Sequence, residues 1–204
     1  MAARLVGKTV LITGASAGIG AACAREFANA GSNLILTARR TDRLQTLTDG
    51  FAKDFPSIKV LPLTMDVRNP FPGLVVGVDQ LDKVTPEAID SMFDTNVKGL
   101  MNVTQAVLPI MKERNSGSII NVSSIWHTAS VDPGLVETEF SMVRFGGDKD
   151  KAAAPYKGLI PLTGQDIAES IVFIASRRPH VQISHMQILP TSQASVTLIN
   201  REQQ

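Results

Sequence analysis

Thr13-Gly14-Ala15-Ser16-Ala17-Gly18-Ile19-Gly20 is the stretch on which the reading of this chain turns. It follows an apolar run, Thr9-Val10-Leu11-Ile12, and opens a segment with helical spacing from Ile19 to Asn29. A glycine-rich turn between a strand and a helix is the setting in which glycines serve a dinucleotide. They allow a tight turn and let backbone approach a pyrophosphate. The helix start then offers unpaired N–H groups and a partial positive charge to the phosphates. The expectation is a chain built to hold NAD or NADP.

Outward from this turn the pattern alternates strand and helix. Residues 8–13 read as a strand and 18–30 as a helix with Ile19, Cys23, Phe27 and Ala30 on one face. Gly31 suits the helix end, and Asn33 to Ala38 is a second apolar strand. Residues 41–54 predict an amphipathic helix capped by Thr41 or Asp42, with Leu44, Leu47 and Phe51 inward. Ile58 to Met65 is a third strand. Strands covered by crossover helices predict an α/β fold with a doubly wound parallel sheet of Rossmann type. Further on, Thr85-Pro86 starts a long helix running to about Arg114, with Ile89, Phe93, Leu100, Val103, Val107 and Met111 toward its apolar face. Gly117 to Ser123 reads as a strand, Gln165 to Ser176 as a helix and Met186 to Leu189 as a last short strand.

Two connections are too short for that rhythm. Only 19 residues separate Asp66 from Pro86, whereas a full βαβ unit takes roughly 30. Only eight lie between Ser124 and Pro133, whereas a parallel strand needs a crossover of about a dozen or more. The expectation is a single dinucleotide-binding domain over residues 1–204 from which two internal segments are missing, near 67–74 and 125–132. Leu74 to Val78, the only apolar run in the first gap, is the candidate to fill part of the missing strand's slot.

Composition narrows the partners. The chain has 204 residues, 44% hydrophobic and 19% charged, as in ordinary globular domains. A net charge of +1 argues against a nucleic-acid binder that works by neutralising phosphates. One cysteine and three histidines give neither an internal disulfide nor a zinc pattern. Cys23 is expected to pack as a small hydrophobe. No apolar run approaches a membrane span and no targeting segment is visible, so a cytoplasmic protein without membrane partners is expected.

With these residues in view, the motif set resembles the short-chain dehydrogenase/reductase family. The glycine spacing is that of its compact single-domain members. Asp66-Val67, Asn96-Val97-Lys98-Gly99, Ile120-Asn121-Val122-Ser123-Ser124 and Pro133-Gly134 with Thr138 follow in family order. Asp132 to Phe145 and Ile188 to Ala194 look more specifically like the NADP-dependent 3-hydroxy acid and serine dehydrogenase group. The resemblance implies hydride transfer between a nicotinamide and a small hydroxy acid, in a complete form that is a homo-oligomer. It implies that Gly14, Ser16, Gly18, Ile19 and Gly20 surround the cofactor phosphates. Asp66 and Val67 lie beside the adenine. Pro133, Gly134, Val136 and Thr138 line the nicotinamide and diphosphate. Ser124 bonds the substrate's reacting oxygen, and Asn96 kinks its helix and holds a water. The competing readings are a strand-end residue for Ser124, a solvent-facing one for Asn96 and a loop cap for Asp66.

Two features of the cofactor and proton chemistry complete the reading. The NAD-selective acid normally lies about 20 residues past the glycine motif. Here that stretch reads Thr37-Ala38-Arg39-Arg40, and arginine suits a 2′-phosphate, although nearby Asp42 leaves NAD open. The family's Tyr-x-x-x-Lys pair is absent. The only tyrosine is Tyr156, with Ile160 four positions on, in a stretch that resembles the family's substrate loop. A phenol of pKa about 10 needs a nearby cation to act as a base at neutral pH. The chain is therefore expected either to descend from an active dehydrogenase or to be a catalytically dead variant that retains nucleotide or partner binding, with doubtful self-association.

Overall fold

A parallel three-stranded sheet carries the N-terminal part of the molecule. In the computed structural model, residues 2–65, 85–123, 131–195 and 198–201 are described. The strands are β1 (Thr9–Thr13), β2 (Asn33–Ala38) and β3 (Val60–Thr64), in the order β1-β2-β3. Thr9 pairs with Asn33 and Leu34 with Val60, and both registers run on residue by residue. Pro62 is tolerated in β3 because, among the described residues, that strand has a partner on one side only. Helices α1 (Gly18–Asn29) and α2 (Thr41–Asp54) make the crossovers.

The apolar faces expected from the sequence are the buried ones. Cys23, Phe27 and Ala30 on α1 and Leu44 and Phe51 on α2 are all buried, with Ile19 and Leu47 half-buried. Gly31 ends α1 with φ +79°, a conformation that costs glycine little. The cap of α2 differs from expectation. Its N-cap is Arg40, with no side-chain cap bond, so neither Thr41 nor Asp42 fills that role.

A second sheet holds β4 (Val131–Pro133) and β5 (Met186–Ile188), paired in parallel from Val131↔Met186 to Pro133↔Ile188. Between them lie α5 (Glu139–Arg144), α6 (Lys149–Ala153) and α7 (Gly164–Ala175). Ile167 and Ile171 of α7 and Val131 of β4 join α1 and β2 in one buried cluster. The two sheets thus share a core although they do not hydrogen-bond to each other among the described residues.

The middle of the chain departs from the sequence reading. The long helix is three pieces: α3 (Pro86–Phe93), a π-helical stretch (Asp94–Lys98) and α4 (Gly99–Glu113). Thr85 caps it, accepting from Ala88 N at 3.2 Å, with Pro86 in the first turn. On its apolar face Ile89, Val103, Val107 and Met111 are only half-buried, and none belongs to the buried cluster. Phe93 and Leu100 are exposed, and only Thr95 and Gly99 are buried. The expected strand over Gly117–Ser123 does not form. Only Val122 bridges, in parallel with Val131. Ser123 N donates to Val131 O at 2.9 Å and Val131 N to Asn121 O at 3.0 Å. A strand is made by its neighbours, and this segment has a three-residue partner on one side. The parallel bridge also forms across a shorter connection than the crossover rule allows for. The proposed substitute strand, Leu74–Val78, and the third-strand end at Asp66 lie outside the described residues.

Candidate cofactor and active site

The turn after β1 is built for a close backbone approach. Gly14 and Gly18 have φ of +66° and +55°, in the left-handed region that disfavours side chains. A Cβ on Gly20 would lie 2.4 Å from the Gly14 carbonyl oxygen. Gly20 therefore lets α1 start directly over the turn. The N-cap of α1 is Ala17, which supplies no side-chain bond, so the helix's first N–H groups are left for another acceptor. By contrast, Thr85, Thr138, Asp148 and Thr163 cap α3, α5, α6 and α7 with their own oxygens.

The other side of the site comes from the loop after β4. Gly134 N donates to Ile188 O at 2.8 Å, and Leu135 N donates to the Gln193 side-chain oxygen at 3.0 Å. A Cβ on Gly134 would meet that oxygen at 2.5 Å and Leu189 at 2.8 Å. Gly134 thus has a packing reason to be glycine. Val136 bridges to Leu162 in parallel. Thr138 caps α5, and its Cβ lies 3.4 Å from where a Gly18 Cβ would be. This contact brings Thr138 onto the glycine turn.

Arg40 closes the site at its third edge. Its Nε and Nη2 donate to Ser16 Oγ, each at 3.2 Å, and its Nη1 donates to Glu139 at 2.8 Å. Arg43 donates to the other oxygen of Glu139. The guanidiniums of Arg40 and then Arg43 hold the Glu139 carboxyl below the usual carboxylate range. Arg39 is exposed and makes no hydrogen bond or ion pair among the described residues. A groove of about 360 Å³ adjoins the cluster, lined by Ser16, Arg25, Arg43, Leu47 and Gly50 among others. Arg43 and Glu139 were not singled out by the sequence. Arg43 stands three positions after Arg40 on one helical face, a signal that was available. Glu139 gave none.

The structure brings together Gly14, Ser16, Gly18, Gly20, Arg40 and Thr138. Ile19 packs partly against the core. Pro133 is buried in β4. Asn96 falls inside the π-helical stretch, where the helix departs from α geometry, and it is exposed with a bonding partner. Asp66, Val67 and Ser124 lie outside the described residues. Tyr156 is committed elsewhere. Its hydroxyl donates to Val136 O at 2.9 Å and lies 2.5 Å from Ser141 Oγ, which must then donate to it. Among the described residues, no group of His, Cys, Asp and Glu could hold a metal ion, and no helix is long and apolar enough to cross a membrane.

A glycine cradle under a helix start, beside a strand-end arginine pair, defines a dinucleotide-binding α/β protein. The chain belongs to the short chain dehydrogenase family, whose model matches residues 8–71 and 73–136. It is similar to the NADP-dependent 3-hydroxy acid dehydrogenase of Schizosaccharomyces pombe, at 37% identity over 98% of this chain and 99% of that one. It is 33% identical to sulfoacetaldehyde reductase 2 of Chromohalobacter salexigens, over 91% of this chain and 96% of that one. A serine dehydrogenase solved in its closed form with NADP+ superposes with a TM-score of 0.84, at 32% identity, covering 96% of this chain and all of that one. The yeast alignment spans 257 positions against 204 residues here, so at least 53 of its positions have no counterpart in this chain. The family match also breaks at Pro72, inside the first short connection.

Proposed function

We propose that this chain is the NADP-binding framework of a short-chain dehydrogenase for small hydroxy acids, shortened by two internal segments within one domain. The observation that carries the reading is the joining of the glycine turn to Arg40 through Ser16, with Thr138 seated on Gly18. The residues fit the cofactor. Gly14, Ser16, Gly18, Ile19 and Gly20 would hold the phosphates, with Pro133, Gly134, Val136 and Thr138 beyond them. Arg39, Arg40 and Arg43 would meet the 2′-phosphate. NADP over NAD is supported further by the NADP named with the yeast relative and with the serine dehydrogenase structure.

NADP, when bound, supplies the hydride acceptor for a carbinol carbon. The chain itself must orient the substrate and take the hydroxyl proton. The roles proposed for Ser124 and Asn96 are to bond the reacting oxygen and to hold a water. Neither readily accepts the proton. Tyr156 has both its hydroxyl bonds committed and no lysine one turn away. Loss of a positioned acid/base costs about 10²–10⁴ in rate. The proposed activity of the 204-residue chain is therefore nucleotide binding with little or no turnover. The substrate class rests on the relatives. A 3-hydroxy acid, serine and sulfoacetaldehyde all place an anionic group near the carbon that reacts.

The test has two arms. Titration of the purified chain should give tighter binding of NADP than of NAD, and equal affinities would overturn the cofactor assignment. NADPH formation should be absent with serine and with 3-hydroxy acids. Robust turnover that survives Tyr156→Phe would refute the account of the missing proton transfer.

A further inference from the structure

Glu139 is a charged side chain at the heart of the Arg40–Arg43 cluster with no role in the reading above. It is the first residue of α5, immediately after the capping Thr138. It reaches across 99 positions of sequence to Arg40 and 96 to Arg43, and each of its carboxylate oxygens takes one guanidinium. Arg40 holds five N–H donors. Its Nε and Nη2 face Ser16 and its Nη1 faces Glu139, so all three of its nitrogens are engaged. These bonds use three of the five donors, so a phosphate meets two free N–H groups on Arg40 and must displace Glu139 to take the paired face of Arg40 together with Arg43.

We propose that Glu139 is an internal competitor for the cofactor's 2′-phosphate and so sets the discrimination between NADP and NAD. The proposal rests on the assignment of Arg40 and Arg43 to that phosphate. The physical case is one of charge and exposure. All three side chains are about half exposed, at 42%, 45% and 46%, so the bridges are open to a solute anion. Exposed ion pairs are weak and screened by water. A phosphate brings nearly twice the charge of a carboxylate and more acceptor oxygens. It can displace Glu139, whereas the 2′-hydroxyl of NAD cannot. Glu139 then lowers affinity for the phosphorylated nucleotide alone. Its hold on both arginines also offsets part of the repulsion between two like charges when no nucleotide is present.

The test uses the full 204-residue chain and two probes, 2′,5′-ADP and 5′-ADP, titrated by calorimetry. Glu139→Gln keeps the shape of the side chain and leaves the Thr138 cap in place, and its circular dichroism should match the wild type. Its affinity for 2′,5′-ADP should rise about fivefold, the order expected for releasing two exposed bridges. Its affinity for 5′-ADP should stay within about twofold. An unchanged or weakened affinity for 2′,5′-ADP would overturn the proposal, the latter by showing that Glu139 braces the arginines. The double variant Arg40→Gln/Arg43→Gln separates the two ideas. If it retains the wild-type preference for 2′,5′-ADP, the arginine assignment fails, and the competitor role with it. If it loses the preference while Glu139→Gln has no effect, only the competitor role fails. Failure of the wild type to bind either probe overturns both.

Discussion

Gly20→Ala and Gly50→Ala make the same chemical change in two helices, and the structure predicts opposite outcomes. A Cβ on Gly20 would lie 2.4 Å from the Gly14 oxygen, 2.8 Å from its carbonyl carbon and 3.2 Å from Ala15 Cα. All three atoms are backbone, so no side chain can swing aside. Comfortable carbon contacts begin near 3.5 Å, and the turn must therefore yield by about 1 Å. Overpacking of this kind costs about 1–3 kcal/mol, against about 1 kcal/mol returned by alanine's helix propensity. Around Gly50 of α2 there is nothing within 4 Å. Only the propensity gain operates there, about 0.5–1 kcal/mol. Urea denaturation should place Gly50→Ala above the wild type. Gly20→Ala should fall about 1–3 kcal/mol below Gly50→Ala, the overpacking cost alone, since both variants gain the same helix propensity. The displaced turn should also weaken 5′-ADP binding in Gly20→Ala and leave it unchanged in Gly50→Ala. Equal stabilities together with equal nucleotide affinities would refute the steric account of this turn.

Burial pushes the Cys23 thiol up to about 12, so an aromatic disulfide reagent at pH 8 should leave it unmodified until the protein unfolds. Thr163→Ala removes one half of the capping box that opens α7 and should cost about 1 kcal/mol in urea denaturation. The Thr163 backbone N–H, and then its hydroxyl, hold the Asp166 carboxyl below its usual range. A lowered folded-state value stabilises above the unfolded pKa of about 3.9 and is lost as pH falls through the folded one. Asp166→Asn should therefore flatten the acid limb of the stability curve below about pH 4. Tyr156→Phe leaves the Val136 carbonyl and the Ser141 hydroxyl without their partner, at a cost of about 1–3 kcal/mol. The same variant should leave 5′-ADP affinity unchanged, since the tyrosine supports the loop after β4 and not the glycine turn.

The parts legible in the sequence are those specified by local signals. The bounds of α2, read as 41–54, are the observed ones, and β1, β2 and α1 agree within a residue or two. Their apolar faces bury as the spacing requires because the partners are adjacent in the chain. The glycine turn was legible for the same reason, since its geometry is set by eight consecutive residues. Gly117–Ser123 reads as a strand but forms none, because β-branched, apolar composition says only that a segment suits a strand. Whether a strand forms depends on neighbours elsewhere. β4 is not legible in the sequence, because three residues ending in proline carry no periodic signal. The π-helical stretch around Asn96 has an ordinary helical sequence. Glu139 was invisible because its role exists only once α5 and α2 have met.

The way the molecule departs from regularity follows the two short connections. Elements away from those connections bury well: β2 packs with α1, and α1 with α7 and β4, in one cluster. Elements on either side of the connections do not. Phe93, Leu100, Met101, Ile110 and Val122 are exposed, and Thr95 Oγ1 is buried without a hydrogen-bond partner among the described residues. Large exposed apolar side chains along a helix mark a face with no packed layer against it among the described residues. Among the described residues the strands likewise form two separate sheets. The same division separates the residues proposed for nucleotide binding from those proposed for turnover. The glycine turn, Arg40 and Thr138 lie on the well-buried side, in contact with one another. Asn96 lies on the other, and the tyrosine and lysine of proton transfer are absent from the sequence. On the function proposed above, grip on the nucleotide would depend on the packed glycine turn, and turnover on a Tyr-x-x-x-Lys pair that the sequence lacks.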